Sequence, residues 1–439
     1  MFLKRLGNIA AHRLHLESLF SGIINQRLDQ FSGNPSAAKF GRHQRMFSSA
    51  DFAVLNPGEA ADLVTARDMG VVFTGLAIMN LVPGYRQTFH ALFLDLCRFI
   101  GNRDMVMHFT SDNAARVHPA VWAAMQAADA PDAPYDGDVL SQRLDEAFSG
   151  LFGQSCVALW AATGTAANCL ALSPMVPPHG GVVCHREAHI EMDEAGAPGF
   201  YLHGAKLMLA DGDGAMITPE GIAAVIDPIR DDVHQVQPHA ISITQASEYG
   251  RAYRPDEVAA IGALAKARGL KLHMDGARFA NAVAHLGCSA DAVSCSAGVD
   301  VLCFGFVKNG GMGAEAIVFF DENLADTVHY RRKRAGHLQS KGRFLAAQIH
   351  AMLTGDLWLA NARAANGAAQ EIAGASNERL LHPVEANELF VTTTSAEREA
   401  LRSQGFTFYD WGDGAARFVT SWCSQTEHVG ALSRAIAAL

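Results

Sequence analysis

Three side chains in this sequence could share one piece of chemistry. Lys308 follows the apolar run Val301–Val307 and precedes Asn309, Gly310 and Gly311. Asp275 and Arg278 follow the run Leu270–Met274, with Asp275 33 residues upstream of the lysine. That gap leaves room for one helix and one strand. A carboxylate, a guanidinium and an amine therefore leave the carboxyl ends of two strands in one sheet. Open α/β sheets bind ligands at that edge. An amine for a covalent imine, a carboxylate for a ring nitrogen and a guanidinium for a nearby anion suit pyridoxal phosphate (PLP). Plainer readings exist for each residue. Lys308 could be a surface lysine, Asp275 a helix N-cap, and Arg278 half of a structural ion pair.

The elements that must position these residues alternate from about residue 107, which predicts a βαβ architecture. Strands are expected over 157–160, 181–184, 205–209, 239–244, 270–274, 300–306 and 316–320. Gly164-Thr165 opens a helix running to Leu172. Backbone N–H groups at such a start bind phosphate, and glycine lets the anion come close. Residues 189–195 read as helical. Thr218-Pro219 is an N-cap with proline at the first helical position, and the helix over 255–268 stops at Gly269. A long helical stretch over about 327–353 leads into a small α+β tail. There, strands near 388–392 and 417–421 alternate with helices near 397–404 and 427–439.

Composition limits the alternatives. The chain has 439 residues, 49% hydrophobic and 18% charged, enough for two domains with a sizeable core. A net charge of −10 gives no electrostatic case for nucleic acid. Eight cysteines are scattered without a C-x-x-C pair, against a disulfide framework or zinc site and in favour of a reducing, cytoplasmic compartment. No metal site is expected. The apolar run from Met69 to Tyr85 is interrupted by Asn80, Pro83 and glycines, too broken for a span of ~20 apolar residues.

Charge is uneven along the chain. Residues 1–104 carry 11 Lys+Arg against 8 Asp+Glu, whereas the remainder is strongly acidic. We therefore expect an N-terminal extension over 1–106, a large domain over 107–350 and a small C-terminal domain over 351–439. The extension reads as a transit peptide, an appendage, or a segment upstream of a true start at Met105 or Met107.

Seven stretches in order give the chain a family likeness. They are Thr110-Ser-Asp-Asn113, Tyr135-Asp-Gly-Asp138, Ala162-Thr-Gly-Thr-Ala-Ala-Asn168, Glu187-Ala-His-Ile190, His273-Met-Asp-Gly-Ala-Arg278, Lys308-Asn-Gly310 and Arg417-Phe-Val-Thr-Ser421. With them the chain from Phe109 onward resembles the low-specificity L-threonine aldolases, fold-type-I PLP enzymes. The resemblance implies a large mixed-sheet βαβ domain with a small α+β domain. It implies that Lys308 carries PLP and that Asp275 pairs with the pyridine nitrogen. Arg278 would lie near the cofactor's phenolic oxygen and the substrate carboxylate, and Gly164 and Thr165 would hold the phosphate. His189 matches the histidine that stacks on the ring and could help move a proton. Ser111 and Arg417 are candidates for the substrate carboxylate.

The implied reaction is cleavage of L-threonine, L-allo-threonine or a related L-β-hydroxy-α-amino acid to glycine and an aldehyde. The resemblance also implies a homodimer or homotetramer acting on a small amino acid. Other readings stay open: β-elimination or transamination by the same fold, or a non-catalytic PLP-binding protein. Two departures matter. Val307 stands where many relatives have Ser or Thr before the lysine. Gln245-Ala-Ser-Glu248 replaces a Glu-Asn-Thr-His stretch whose histidine is proposed to lie near the substrate hydroxyl. Neither Ser247 nor Glu248 is an obvious replacement, so the base for that hydroxyl is unassigned.

Overall fold

The computed structural model describes residues 106–439. The N-terminal extension, its charge excess and the run from Met69 to Tyr85 lie outside the described residues, save for Val106. The strands are β1 (Met107–His108), β2 (Val157–Ala161), β3 (Gly180–His185), β4 (Lys206–Ala210), β5 (Gln237–Thr244), β6 (Lys271–Gly276), β7 (Val301–Phe304), β8 (Glu315–Phe319), β9 (Glu388–Thr392), β10 (Phe406–Thr407), β11 (Tyr409–Trp411) and β12 (Ala415–Val419).

Seven of these form one sheet in the order β2-β8-β7-β6-β5-β3-β4. The pairings β7–β6, β6–β5, β5–β3 and β3–β4 are parallel, whereas β8 runs antiparallel to both β2 and β7. This is the expected mixed sheet. Its central strands are apolar along their length because helices cover both faces; β3, β7 and β8 are buried at every position. Two separate apolar clusters contain alternate residues of the same strands. Leu302 and Phe304 pack with one, Val301 and Cys303 with the other.

A three-stranded antiparallel sheet, β11-β12-β9, forms the smaller C-terminal layer. It packs with the helices Leu357–Ala375 and Thr426–Ala437 around Leu389, Phe418, Leu432 and Ile436. The start of the described chain belongs here too. β1 pairs with β10, and Phe109 sits 6.3 Å from Phe406, ring to ring. The first few described residues thus lie on the small layer, where Phe109 is buried and Met107 half-buried. The helix Leu357–Ala375 serves both cores: Trp358 and Ala362 pack below the large sheet, Ala369 and Ile372 below the small one.

Two helical expectations change. The stretch over 327–353 is two helices, Val328–Arg334 and Arg343–Leu353. Gly336 stops the first at φ +80°. Gly336 N–H donates to Lys333 and His337 N–H to Arg332, the paired bonds of a Schellman ending. The helix expected over 189–195 is a single turn, His189–Met192.

Candidate active site

The parallel strands end on one side of the sheet, and the ends of β5, β6 and β7 line a cavity of about 420 Å³. That volume suits a cofactor-sized ligand. β7 ends at Phe304, and Gly305 then passes against the turn after β6. A Cβ on Gly305 would meet the Ala277 carbonyl at 2.5 Å, and one on Gly276 the Cys303 carbonyl at 2.6 Å. These two glycines let the strand ends close up, so Asp275 and Lys308 line the same cavity. Lys308 rides on a short turn, Val307–Asn309. Burial and the nearby Arg278 lower the pKa of its amine.

Asp275 is buried and doubly anchored. One oxygen accepts from Ala277 N–H at 2.9 Å, the other from the Asn168 amide at 2.8 Å. The first of these is a local turn bond and not the helix N-cap that the sequence suggested, since the helix that follows, Phe279–Leu286, has Arg278 at its N-cap. The same Asn168 amide donates to Glu194 at 2.9 Å, and His189 Nδ1 lies 2.9 Å from that Glu194 oxygen. The bond to Glu194 raises the pKa of His189, against the lowering effect of burial. Asn168, Glu194, His189 and Asp275 are thus one hydrogen-bonded chain.

Across the cavity, Gly164 and Thr165 open the helix Gly164–Leu172. Thr163 caps it, taking the Ala166 N–H on its hydroxyl and the Ala167 N–H on its carbonyl. The N–H groups of Gly164 and Thr165 have no intrahelical acceptor. A Cβ on Gly164 would meet nothing within 4 Å, so the turn faces open space.

Six of the residues singled out in the sequence therefore meet in one place: Lys308, Asp275, Arg278, Gly164, Thr165 and His189 all line the cavity. Ser111 and Arg417 do not. The Ser111 hydroxyl accepts the Asn113 N–H at 3.1 Å as a cap, and Asn113 lines the cavity in its place. Arg417 Nε donates to Glu388 at 3.1 Å, and its Nη2 bonds the same carboxylate.

Arg278 is held by partners that the sequence did not reveal. Its Nε and Nη2 donate to the two oxygens of Asp112 at 2.8 and 2.9 Å, and its Nη1 lies 3.1 Å from Glu388. Burial alone would raise the Asp112 carboxyl, but Arg278 and Lys308 hold it below its ordinary value. Three of the five guanidinium donors therefore face protein carboxylates. The ion-pair reading of Arg278 holds alongside its place on the cavity wall.

Two further carboxyls were not predicted, the buried Glu315 and the half-buried Glu248. Glu315 accepts the Phe306 N–H at 2.5 Å, next to the turn that carries Lys308. Glu248 lines the cavity; its Oε1 accepts from the Thr244 hydroxyl at 2.8 Å and from the His189 N–H at 2.9 Å. Burial pushes both up to about 7. No local pattern marks either, because their burial comes from elements distant in the chain.

These donors fit PLP. The exposed amides and open space at Gly164 suit a phosphate, Asp275 keeps lone pairs for a ring nitrogen, and Lys308 offers an amine biased toward its neutral form.

Comparison with known proteins gives the same direction. Residues 108–396 match the beta-eliminating lyase family. A low-specificity L-threonine aldolase of Pseudomonas aeruginosa is 44% identical over 339 residues, 76% of this chain and 98% of that protein. One from a Pseudomonas species is 43% identical over 342 residues, 76% of this chain and 99% of that one. Among solved structures, a threonine aldolase of Leishmania major superposes with a TM-score of 0.70 at 24% identity, over 75% of this chain and 100% of that one. An aspartate aminotransferase of Rhodobacter sphaeroides gives 0.58 at 14% identity, over 76% and 92%. These two likenesses concern the fold alone.

Proposed function

The chain belongs to the low-specificity L-threonine aldolase family, and from that premise we infer the work of its site. It is a PLP-dependent carbon–carbon lyase that cleaves L-threonine, L-allo-threonine and related β-hydroxy-α-amino acids to glycine and an aldehyde. The observation that carries the residue roles is the meeting of Lys308, Asp275 and the open helix start at Gly164 on one cavity.

Bound there, PLP supplies a sink for the electron pair released at the substrate's Cα. The roles of the protein's groups follow as proposals. Lys308 is the amine that holds the cofactor, and its lowered pKa favours the nucleophilic form. Asp275 keeps a proton on the ring nitrogen, and its two anchors fix the carboxylate for that task. Gly164 and Thr165 hold the phosphate through their N–H groups. His189 lies against the ring, held in place through Nδ1 by Glu194. With Arg417 engaged by Glu388, Arg278 is the better placed of the two arginines for the substrate carboxylate. Fixing that carboxylate orients the Cα–Cβ bond for cleavage.

The resemblance further suggests two or four copies per assembly. Seven free cysteines among the described residues suit a reducing, cytoplasmic setting. No helix among the described residues is long and apolar enough to cross a membrane.

The test is direct. Purified protein with PLP is offered L-threonine, L-allo-threonine, L-phenylserine and serine, and aldehyde and glycine are measured. Equimolar glycine and aldehyde are expected. A keto acid product would instead select transamination or β-elimination.

A further inference from the structure

We propose that Glu248 is the general base that takes the proton of the substrate's β-hydroxyl. The inference rests on the aldolase reading and names a group that reading leaves unassigned. In the step, the hydroxyl O–H bond breaks and its proton passes to the Glu248 carboxylate. The freed oxygen pair becomes the second bond of the aldehyde carbonyl. The Cα–Cβ pair stays with the glycine fragment, which later gains a proton at Cα.

Of the other ionisable groups on the cavity, Lys308 is assigned to the cofactor, burial holds Cys303 as a thiol, and the rest are already engaged. Asp275 holds Ala277 N–H and Asn168. Glu315 holds Phe306 N–H. His189 shares Nδ1 with Glu194, which biases it toward its protonated, donating form. Arg278 is a cation locked to Asp112. Among the carboxyls that line the cavity, Glu248 differs: Oε1 accepts two bonds, but Oε2 is buried with no hydrogen-bond partner, as is also true of Glu194 and Glu388 outside the lining. A buried acceptor without a donor costs stability, and a side-chain rotation that brought Oε2 to a substrate hydroxyl would remove that cost. Its position also suits the task. Glu248 follows the carboxyl end of β5, beside the β6 end that carries Asp275. It stands where the sequence departs from the Glu-Asn-Thr-His stretch of other relatives.

Its acid–base range agrees with this geometry. Burial raises the carboxyl to about 7, against the bonds from Thr244 and His189. The titratable groups that influence it or meet it are Asp275 on β6, Cys184 on β3, His189 after β3, and Tyr249 and Tyr253 on its own loop. Lys308, Arg278 and Glu315 share the cavity. A base must be ionised to act, so cleavage should fall as pH drops through about 7.

Glu248→Gln is the test, since glutamine keeps an oxygen for Thr244 and His189. Far-ultraviolet circular dichroism and PLP absorbance check that the variant folds and loads. Cleavage of L-threonine should fall by about 10²–10⁴-fold, the usual worth of a general base. Exchange of the α-proton of glycine, which has no β-hydroxyl, should fall at least about tenfold less. Glu248→Asp should recover part of the rate and keep the acid limb of the pH profile. In the apoprotein, infrared difference spectra should show protonated-carboxyl absorption titrating near 7 from Glu248 and Glu315, of which Glu248→Gln removes a part. Cleavage within about threefold of wild type, or cleavage and exchange falling together, overturns the proposal. Survival of the whole infrared band overturns it as well. If the wild type neither cleaves threonine nor exchanges the glycine proton, the aldolase reading itself fails, and this inference with it.

Discussion

Replacing Asp112 by asparagine should destabilise the folded protein by about 3 kcal/mol. The side chain is 1% exposed and accepts from Arg278 Nε, Arg278 Nη2 and the Asn387 amide at 2.8, 2.9 and 3.0 Å. Asparagine keeps the shape and one acceptor but loses the charge. Arg278 does not shed its own charge in response, because a guanidinium stays protonated in proteins and Glu388 still faces Nη1. Unit charges about 4 Å apart attract by about 4 kcal/mol at an effective dielectric constant near 20. Unpairing one member of a buried pair costs about 3–5 kcal/mol. Glu388 stays 3.1 Å from Nη1 and offsets part of this, which places the loss at the lower end.

Urea unfolding of the apoprotein at pH 7 measures that loss, and a fall in Tm of about 6 °C should accompany it. The pH dependence has a definite sign. Asp112 has a depressed folded pKa. Its contribution is fully present above the unfolded value of about 4 and is lost as pH falls through the folded one. The gap between wild type and variant should therefore hold from about pH 5 to 8 and close in stronger acid. A loss under about 1 kcal/mol at pH 7 would refute the reasoning. So would a gap that persists when the carboxyl is protonated.

Three further outcomes are expected. Lys308→Ala should abolish turnover and leave no PLP adduct that borohydride can fix; a fixed adduct in the variant would identify another lysine as the anchor. Asp275→Asn should fold yet lose about 10²–10³-fold in kcat, because a neutral amide cannot stabilise the charged ring; near-normal turnover would remove Asp275 from the mechanism. A chain starting at Met105 should fold, bind PLP and cleave threonine at a rate similar to the full chain, since the family match begins at residue 108; insolubility or inactivity of the short chain beside an active full chain would make the first hundred residues part of the enzyme.

Much of the site was legible in the sequence because it is built from strand ends. A parallel strand buried on both faces reads as an apolar run, and the polar residue that ends the run lies at the ligand-binding edge. That logic located Asp275 after β6, Lys308 after β7 and the Gly164 turn after β2, and the family motifs added His189. The βαβ architecture and the small C-terminal α+β tail followed from the same periodicities, whereas the mixed sheet was implied by the family resemblance. The long helix over 327–353 was misread because its pattern stays helical across Gly336, where the backbone adopts φ +80° and closes the first helix.

Only the tertiary structure decided who holds whom. Arg278 finds Asp112 and Glu388, and Glu388 also takes Arg417; no spacing rule links residues 112, 278, 388 and 417. Asn168 joins Asp275 to Glu194 across three separate segments of the chain. Glu248 looked like a mere departure from a motif until folding enclosed it beside the cavity and left one oxygen unpaired. Side-chain type and local backbone are written along the chain, whereas burial and electrostatic partnership depend on distances in space. Those distances turn a carboxylate into an ion-pair partner at Asp112 and Glu388, an anchored group on the cavity wall at Asp275, and an acid–base group near neutrality at Glu248.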